Sequence, residues 1–79
     1  MRSKYKPGKW VVCVKDLVME DDGNIDCKKG NYYKIKEQGE DSFCIIDDEN
    51  CTHWFRYNDN CWLKLVDRTT QKFLDMVYR

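Results

Sequence analysis

The stretch that decides the fold is CTHWFRYNDNCWLKL, residues 51–65. Its first six residues, CTHWFR, include an adjacent Trp and Phe, and we predict a β-strand over 51–56. The Asn/Asp composition of YNDN (57–60) predicts one helical turn or a β-turn. CWLKLV (61–66) then predicts a second strand. The stretch also holds two of the three Trp and the only His, so it is either core or a binding site.

Three more strands are predicted upstream of this stretch. KWVVCVK (9–15) follows a Pro-Gly turn signal and is rich in β-branched residues. NYYKIKE (31–37) alternates apolar and polar residues, which indicates one wet face. SFCIID (42–47) is the third, and the acidic, Gly-containing segment 16–30 between the first two is predicted to be a long loop or an irregular hairpin.

The C-terminal segment 67–79 is predicted to form a short helix. Thr69 or Thr70 is the capping candidate, and three apolar residues fall on one helical stripe: Phe73, Leu74 and Val77. About ten residues do not form a stable helix alone. We therefore expect this segment to pack on the strands or, through the same stripe, on a second copy of the chain.

The order of these elements predicts an all-β fold, a five-stranded antiparallel barrel with a short C-terminal helix. Three pieces, KYKPGKWVVCVKD (4–16), KKGNYYKIKE (28–37) and HWFRYNDNCWLKLV (53–66), resemble small phage and prophage proteins with an SH3-like barrel. The resemblance covers residues 4–66 of a single domain, 1–79. The Trp pair and acidic-aromatic run of Pro-rich-peptide-binding SH3 domains have no counterpart here, so that ligand is not transferred.

Composition excludes several classes of function. The chain has 14 basic and 14 acidic residues, which argues against broad electrostatic capture of nucleic acid or of an anionic membrane. No apolar run approaches the roughly 18 residues of a transmembrane helix. The N-terminus does not read as a secretory signal, and the five cysteines are an odd number. We expect reduced thiols, no membrane, and the cytoplasm of a host cell.

The spacing of the Cys, His and acidic residues does not match the common patterns of metal or catalytic sites. Cys44, Cys51, His53 and Cys61 are zinc-ligand types, but they lack a C-x₂-C knuckle. A calcium loop that begins at Asp22 would have Cys27 at the position that requires Gly and Tyr33 at the position that requires Glu. A Cys–His pair is easy to find in a chain with five Cys, and a barrel this small has little room for a substrate cleft. The expectation is no metal, no cofactor and no enzyme activity.

The aromatic residues suggest a protein-binding surface. Within 51–56, alternation places Cys51, His53 and Phe55 on one face and Thr52, Trp54 and Arg56 on the other. Trp, Tyr and Arg dominate the energetics of protein interfaces. Since part of this cluster must fill the core, the candidates for exposed anchors are Trp10, Trp54, Arg56, Tyr57 and Trp62, and the last four are the predicted anchors.

Acidic residues cluster in the predicted loops, where we expect them to form one acidic end of the molecule: Glu20, Asp21, Asp22, Asp41, Asp48 and Glu49. Such a patch raises association rates and selects partners, while apolar anchors supply affinity. The phage resemblance implies a protein that acts stoichiometrically on a host protein. The expected function is therefore a non-enzymatic inhibitor or modulator that works by occlusion, for example in host defence.

The alternative function is nucleic-acid binding. The first fifteen residues are basic without any acid. Lys4, Lys6 and Lys9 would contact phosphate, and the neighbouring Trp10 would stack on a base. The competing explanation is an ordinary solvated basic face on a chain of zero net charge.

Overall fold

The computed structural model describes residues 4–18 and 23–78. It confirms a small, mainly β, barrel-like fold with one C-terminal helix. The elements are β1 (Trp10–Cys13), β2 (Leu17–Val18), β3 (Ile25–Cys27), β4 (Tyr32–Gln38), β5 (Ser42–Ile46), β6 (Thr52–Arg56), β7 (Leu63–Leu65) and α1 (Arg68–Val77).

Five of the strands form one antiparallel sheet in the order β6-β5-β4-β1-β7. These are the five predicted strands, each somewhat shorter than expected except β4. A register shift between Ile35 and Glu37 places a bulge in the β4–β5 ladder. Because a bulge bends and twists its strand, the sheet curls into a half-barrel. The predicted irregular hairpin in 16–30 is present as a separate two-stranded sheet of β2 and β3.

The concave side of the sheet holds the hydrophobic core. Alternation along β4 sends Tyr33 and Ile35 inward and leaves Lys34 and Lys36 exposed, as the sequence predicts. The buried core cluster comprises Val11, Cys13, Cys27, Tyr33, Ile35, Phe43, Ile45, Phe55 and Leu63. Tyr5 covers one end of it, with its ring stacked on Phe43 at 4.5 Å.

The convex side of the sheet, called the outer face here, is only partly covered. Helix α1 packs over β1, where it buries Leu74 and leaves Trp10 just 7% exposed. The Trp10 indole Nε1 donates to Asp75 Oδ1 at 3.2 Å, and its backbone N–H donates to Gln71 Oε1 at 2.8 Å. These contacts fix the helix on the β1 side and leave the β5–β6 side open.

Helix α1 corrects two details of the prediction. Its N-cap is Asp67, whose side chain accepts from the Thr70 backbone N–H at 2.7 Å, so neither Thr69 nor Thr70 caps it. The predicted apolar stripe is divided, because Leu74 faces the sheet while Phe73 and Val77 are exposed. A helix of ten residues is far too short to span a bilayer, and none of the described residues forms a helix that could.

Candidate functional site

Strand β6 is the element that concentrates the predicted site residues. It lies at one edge of the five-stranded sheet and pairs only with β5 among the described strands. Alternation gives it two different sides. Phe55 is buried and His53 half-buried on the inner side, whereas Thr52, Trp54 and Arg56 are exposed on the outer side. The predicted division of residues 52–56 between two faces is confirmed.

Trp54 is the large aromatic residue of this outer side. Its side chain is 50% exposed. The indole leans across β5 toward the β4–β5 turn, where its Cζ3 atom lies 3.7 Å from the position of a β-carbon on Gly39. Trp54 is paired in register with Cys44, which points to the same side and is fully buried. One side of the ring therefore covers β5, and the other faces solvent.

An apolar neighbour extends the surface around Trp54. Ile46 is also exposed, and it is paired with Thr52 on the same side of the sheet. In an antiparallel pair, such a diagonal neighbour lies about 7–8 Å away, within reach of an aromatic ring. We call this surface, made of Ile46, Trp54 and Arg56, the Trp54 face.

The other two predicted anchors, Tyr57 and Trp62, are packed mostly against the rest of the protein. The Tyr57 hydroxyl donates to the Gly39 carbonyl at 3.0 Å, and its ring stacks near Tyr5 and Phe43. Trp62 packs against the core, with its ring tilted 57° at 6.0 Å from Phe55. Both rings are half-buried. Of the four expected anchors, Trp54 and Arg56 are the ones exposed on a common surface.

The predicted acidic end does not form as one patch. Asp41 precedes β5, whereas Asp48 and Glu49 follow it, so the two groups lie at opposite ends of that strand. Five residues of strand separate them by roughly 16 Å. Asp48 also accepts a hydrogen bond from the Tyr33 hydroxyl at 2.8 Å. The remaining members of the set, Glu20, Asp21 and Asp22, lie outside the described residues.

The basic N-terminal residues line a cleft at the start of α1. Its volume is about 350 Å³, and it is lined by Lys4, Lys6, Lys9, Leu65, Val66, Asp67, Arg68 and Gln71. The three lysines are exposed and meet there with Arg68. Trp10 does not join them, because helix α1 buries it and Asp75 occupies its indole N–H. The expectation that Trp10 stacks on a base is therefore corrected.

A polar cluster lies on the inner side of β6. His53 Nδ1 is 3.4 Å from Asp47 Oδ2 and 3.5 Å from Asp26 Oδ2. Asp26 lies in β3, and Asp47 begins the tight turn between β5 and β6. Each Asp is only 6% exposed. The His53 ring stacks on Phe55 at 4.8 Å, which fixes its plane.

The tight turn orients one of these carboxylates. Asp47 Oδ1 accepts from the backbone N–H groups of Glu49 and Cys51, both at 3.0 Å. Asn50 takes the left-handed conformation, with φ of 62°, which Asn tolerates better than most residues. The turn thereby occupies one oxygen of Asp47 and directs the other at His53.

The thiols are divided between the core and the surface. Cys13, Cys27 and Cys44 are buried, while Cys51 and Cys61 are exposed, and all five are free. Burial raises the pKa of the Cys27 thiol to about 12, with a further contribution from the nearby Cys13. Buried thiols with raised pKa values are poor nucleophiles and poor metal ligands. The rejected zinc set of Cys44, Cys51, His53 and Cys61 is not assembled by the described part of the fold.

Sequence reasoning missed the cluster of Asp26, Asp47 and His53. The only sequence signal is strand alternation on either side of the turn. Ile45 pairs with His53 on the inner side, and Asp47, two residues after Ile45, points to the same side. Asp26 gives no such signal. It reaches the cluster because β3 packs against the β5–β6 turn, where the Asp48 N–H donates to the Asp26 carbonyl at 2.9 Å.

Comparison of this chain with protein-family models, with curated proteins and with solved structures found no match.

Proposed function

We propose that this chain is a small protein-binding module whose Trp54 face docks on a partner protein. The single observation that carries the proposal is the half-exposed indole of Trp54 on the outer side of an edge strand. An isolated exposed apolar side chain is ordinary on a protein surface. Trp54 is distinguished by its apolar neighbour Ile46 and by Arg56 two residues along the same side of β6.

The chemistry of this face suits an interface centre. A Trp with a large rigid ring gains much contact area at little cost in conformational entropy, and Arg adds hydrogen bonds at the margin. Because Trp54 already rests on β5, little of its freedom remains to be lost on binding. The expected interface is therefore an anchor at Trp54 surrounded by weaker polar contacts.

The acidic residues would contribute to association rather than to the anchor. Asp41 lies at one end of β5, and Asp48 and Glu49 lie at the other. Exposed charges of one sign at the rim of an interface mainly raise the association rate, and their effect is weakened by salt. The partner surface that fits best carries basic groups on two sides of an apolar pocket.

The mode of action that follows is occlusion of the partner's surface. The resemblance to phage-encoded proteins makes a host-cell protein the expected partner, held one-to-one. No catalytic step by this chain is part of the proposal.

The test compares two exposed apolar residues. Wild-type protein, Trp54→Ala and the control Met76→Ala are immobilised and used to capture proteins from nuclease-treated host lysate. Met76 is 71% exposed on α1, away from β6. We expect one protein that both wild type and Met76→Ala retain and Trp54→Ala loses. With that protein purified, Trp54→Ala should weaken binding at least about 30-fold, the effect of a hot spot of roughly 2 kcal/mol. Equal affinity of all three would refute the proposal.

The basic cleft supports a second candidate function, binding of a nucleic-acid backbone. The supporting observation is that Lys4, Lys6, Lys9 and Arg68 line one cleft. Contacts to phosphate release counterions, so log K should fall with log salt by about 0.9 per phosphate contact. Replacing the three lysines by Gln should reduce the magnitude of that slope by roughly 2.7, the value for three phosphate contacts. Lys72→Gln on α1 is the control, and a slope unchanged by the triple variant would exclude this cleft.

A further inference from the structure

Three metal-ligating side chains converge behind β6, on the side opposite the Trp54 face. The ligand atoms of Asp26, Asp47 and His53 all lie within 4.8 Å of one another. They come from three separate segments: strand β3, the β5–β6 turn and strand β6. Two carboxylates that are only 6% exposed thus share one imidazole. Buried charges in proteins are normally paired, or they coordinate metal ions.

Hydrogen bonding to His53 explains this arrangement incompletely. A ring nitrogen carries at most one proton, so Nδ1 can donate to only one of the two carboxylates at a time. The two separations are nearly equal, 3.4 Å to Asp47 Oδ2 and 3.5 Å to Asp26 Oδ2. Charge-assisted N–H···O bonds are shorter, about 2.7–2.9 Å. Nδ1 therefore lies between two acceptors without a short bond to either.

The same separations match the edge of a coordination tetrahedron. Zinc binds His nitrogen and carboxylate oxygen at about 2.0–2.2 Å, and a tetrahedron with such bonds has edges of about 3.3–3.6 Å. The two distances from His53 Nδ1, 3.4 and 3.5 Å, fall in this range. The three ligand atoms all lie within 4.8 Å of one another. A zinc ion seated among them would also require the two carboxylate oxygens to lie about 3.3–3.6 Å apart.

We propose that Asp26 Oδ2, Asp47 Oδ2 and His53 Nδ1 bind a zinc ion, with water in the fourth position. Mixed nitrogen and oxygen ligands favour zinc over magnesium and calcium, which prefer oxygen alone. Asp47 is held for this role, because the backbone N–H groups of Glu49 and Cys51 fix its other oxygen. Partners of this kind orient a ligand and raise metal affinity.

The ion would join parts of the fold that are distant in sequence. It ties β3 of the small sheet to the β5–β6 end of the large one. The proposal is independent of the Trp54 face, since His53 and Trp54 point to opposite sides of β6. Loss of zinc binding and loss of partner binding are thus separable by mutation.

The experiment uses the full chain without a His tag, in a Cys51→Ser/Cys61→Ser background. This background removes the two exposed thiols, which could bind zinc on their own. Zinc is titrated by calorimetry, with magnesium and calcium in parallel. We expect one zinc per chain and no response to the other two ions. Cobalt in place of zinc should give the intense visible bands of a tetrahedral site without a thiolate charge-transfer band.

Variants then assign the ligands. His53→Gln and Asp47→Asn should each weaken zinc binding at least about tenfold, since even an outer partner of a metal ligand is worth 10–100-fold. Asp59→Asn, which removes an exposed carboxylate outside the cluster, is the control and should bind zinc normally. Full zinc affinity retained by His53→Gln would overturn the proposal. The absence of zinc binding at roughly 100 μM zinc in the chain with Asp26, Asp47 and His53 intact would overturn it as well.

A further readout avoids ligand mutations in case they prevent folding. His53 is the only His in the chain, so its two ring nitrogens are the only imidazole signals in a ¹⁵N spectrum. Zinc should shift the Nδ1 resonance to the metal-bound range and leave Nε2 protonated. A shift at Nε2 alone, or at neither nitrogen, would count against this geometry.

Discussion

Trp10 and Trp54 lie on the same outer face of one sheet and have opposite environments. Helix α1 covers Trp10, which is 7% exposed and donates its indole N–H to Asp75. No described element covers Trp54, which is 50% exposed. The two residues have the same side chain, and both side chains point to the outer face of the sheet. What distinguishes structural Trp from candidate anchor is thus whether another element packs over it.

The largest effect on the free energy of unfolding is expected at Trp10, which α1 covers. Trp10→Ala should lower the free energy of unfolding by about 3–5 kcal/mol, because it removes a buried ring and leaves a cavity under α1. A chain of 79 residues has only about 4–12 kcal/mol in total. Urea unfolding measures the loss, and Trp10→Phe gives a milder version if Trp10→Ala does not fold. A Trp10→Ala protein as stable as wild type would show that α1 does not pack there.

The helix side of the same contact gives the second prediction. Leu74→Ala should cost about 2–3 kcal/mol, since Leu74 is buried against the sheet. Its neighbour Phe73 is exposed, so Phe73→Ala should change stability by less than about 0.5 kcal/mol. Thermal unfolding compares the two.

Mass in solution, measured on the same pair of variants, tests the predicted self-association. If Phe73 and Val77 form an oligomer contact, Phe73→Ala should lower the mass. A monomeric wild-type chain would contradict that contact.

The third prediction concerns a thiol beneath the sheet and its pH dependence. Burial raises the pKa of Cys27 from 9.0 to about 12 in the folded chain. The folded state therefore binds this proton more tightly than the unfolded state. Its stabilisation is complete below pH 9 and is lost as pH rises toward 12, by up to about 1.4 kcal/mol per pH unit.

Urea unfolding at pH 8 and pH 10 checks the sign. Stability should be lower at pH 10, and the difference should shrink in Cys27→Ala even though that variant is less stable overall. The raised pKa of Tyr33, caused mainly by burial, acts in the same direction and remains in the variant. Equal slopes in both proteins would remove Cys27 as a cause.

A much smaller effect on stability than at Trp10 is expected at the uncovered Trp54. Trp54→Ala should cost no more than about 1 kcal/mol, because much of the ring is already in water. It should nevertheless expose the Cys44 thiol, which pairs with Trp54 on the same side of the sheet. Alkylation in the Cys51→Ser/Cys61→Ser background should therefore become faster in Trp54→Ala. If Cys44 stays as unreactive as in the parent, the indole is not what covers it.

Local patterns predicted most of the strands and their faces. Alternation at Tyr33 and Ile35 needs only the pleat of a strand, and the outward direction of Trp54 follows from the same parity. The position of Asp67 as N-cap was missed although Asp ranks above Thr as a capping type, because Asp67, Thr69 and Thr70 all lie at the start of the helical segment. Propensity alone does not choose among neighbouring caps.

Long-range packing accounts for what the sequence did not predict. The burial of Trp10 depends on helix α1, whose partner residues Gln71 and Asp75 are 61 and 65 residues away along the chain. The acidic turns separate because they lie at opposite ends of β5. The cluster of Asp26, Asp47 and His53 requires three segments to meet. No periodicity records such meetings.

The strand order has a consequence for how the molecule opens. Strands β6 and β7 are the two outermost strands of the large sheet. Between these two edge strands, the inward-facing ring of Phe55 in β6 contacts the ring of Trp62, which directly precedes β7, with the ring centroids 6.0 Å apart. Strands β6 and β7 each pair with one neighbouring strand, whereas β1 and β4 each pair with two. Amide protons of β6 and β7 should therefore exchange with deuterium sooner than those of β1 and β4. Side-chain contact, not main-chain pairing, thus bridges the two edges of the half-barrel, and local opening should begin there.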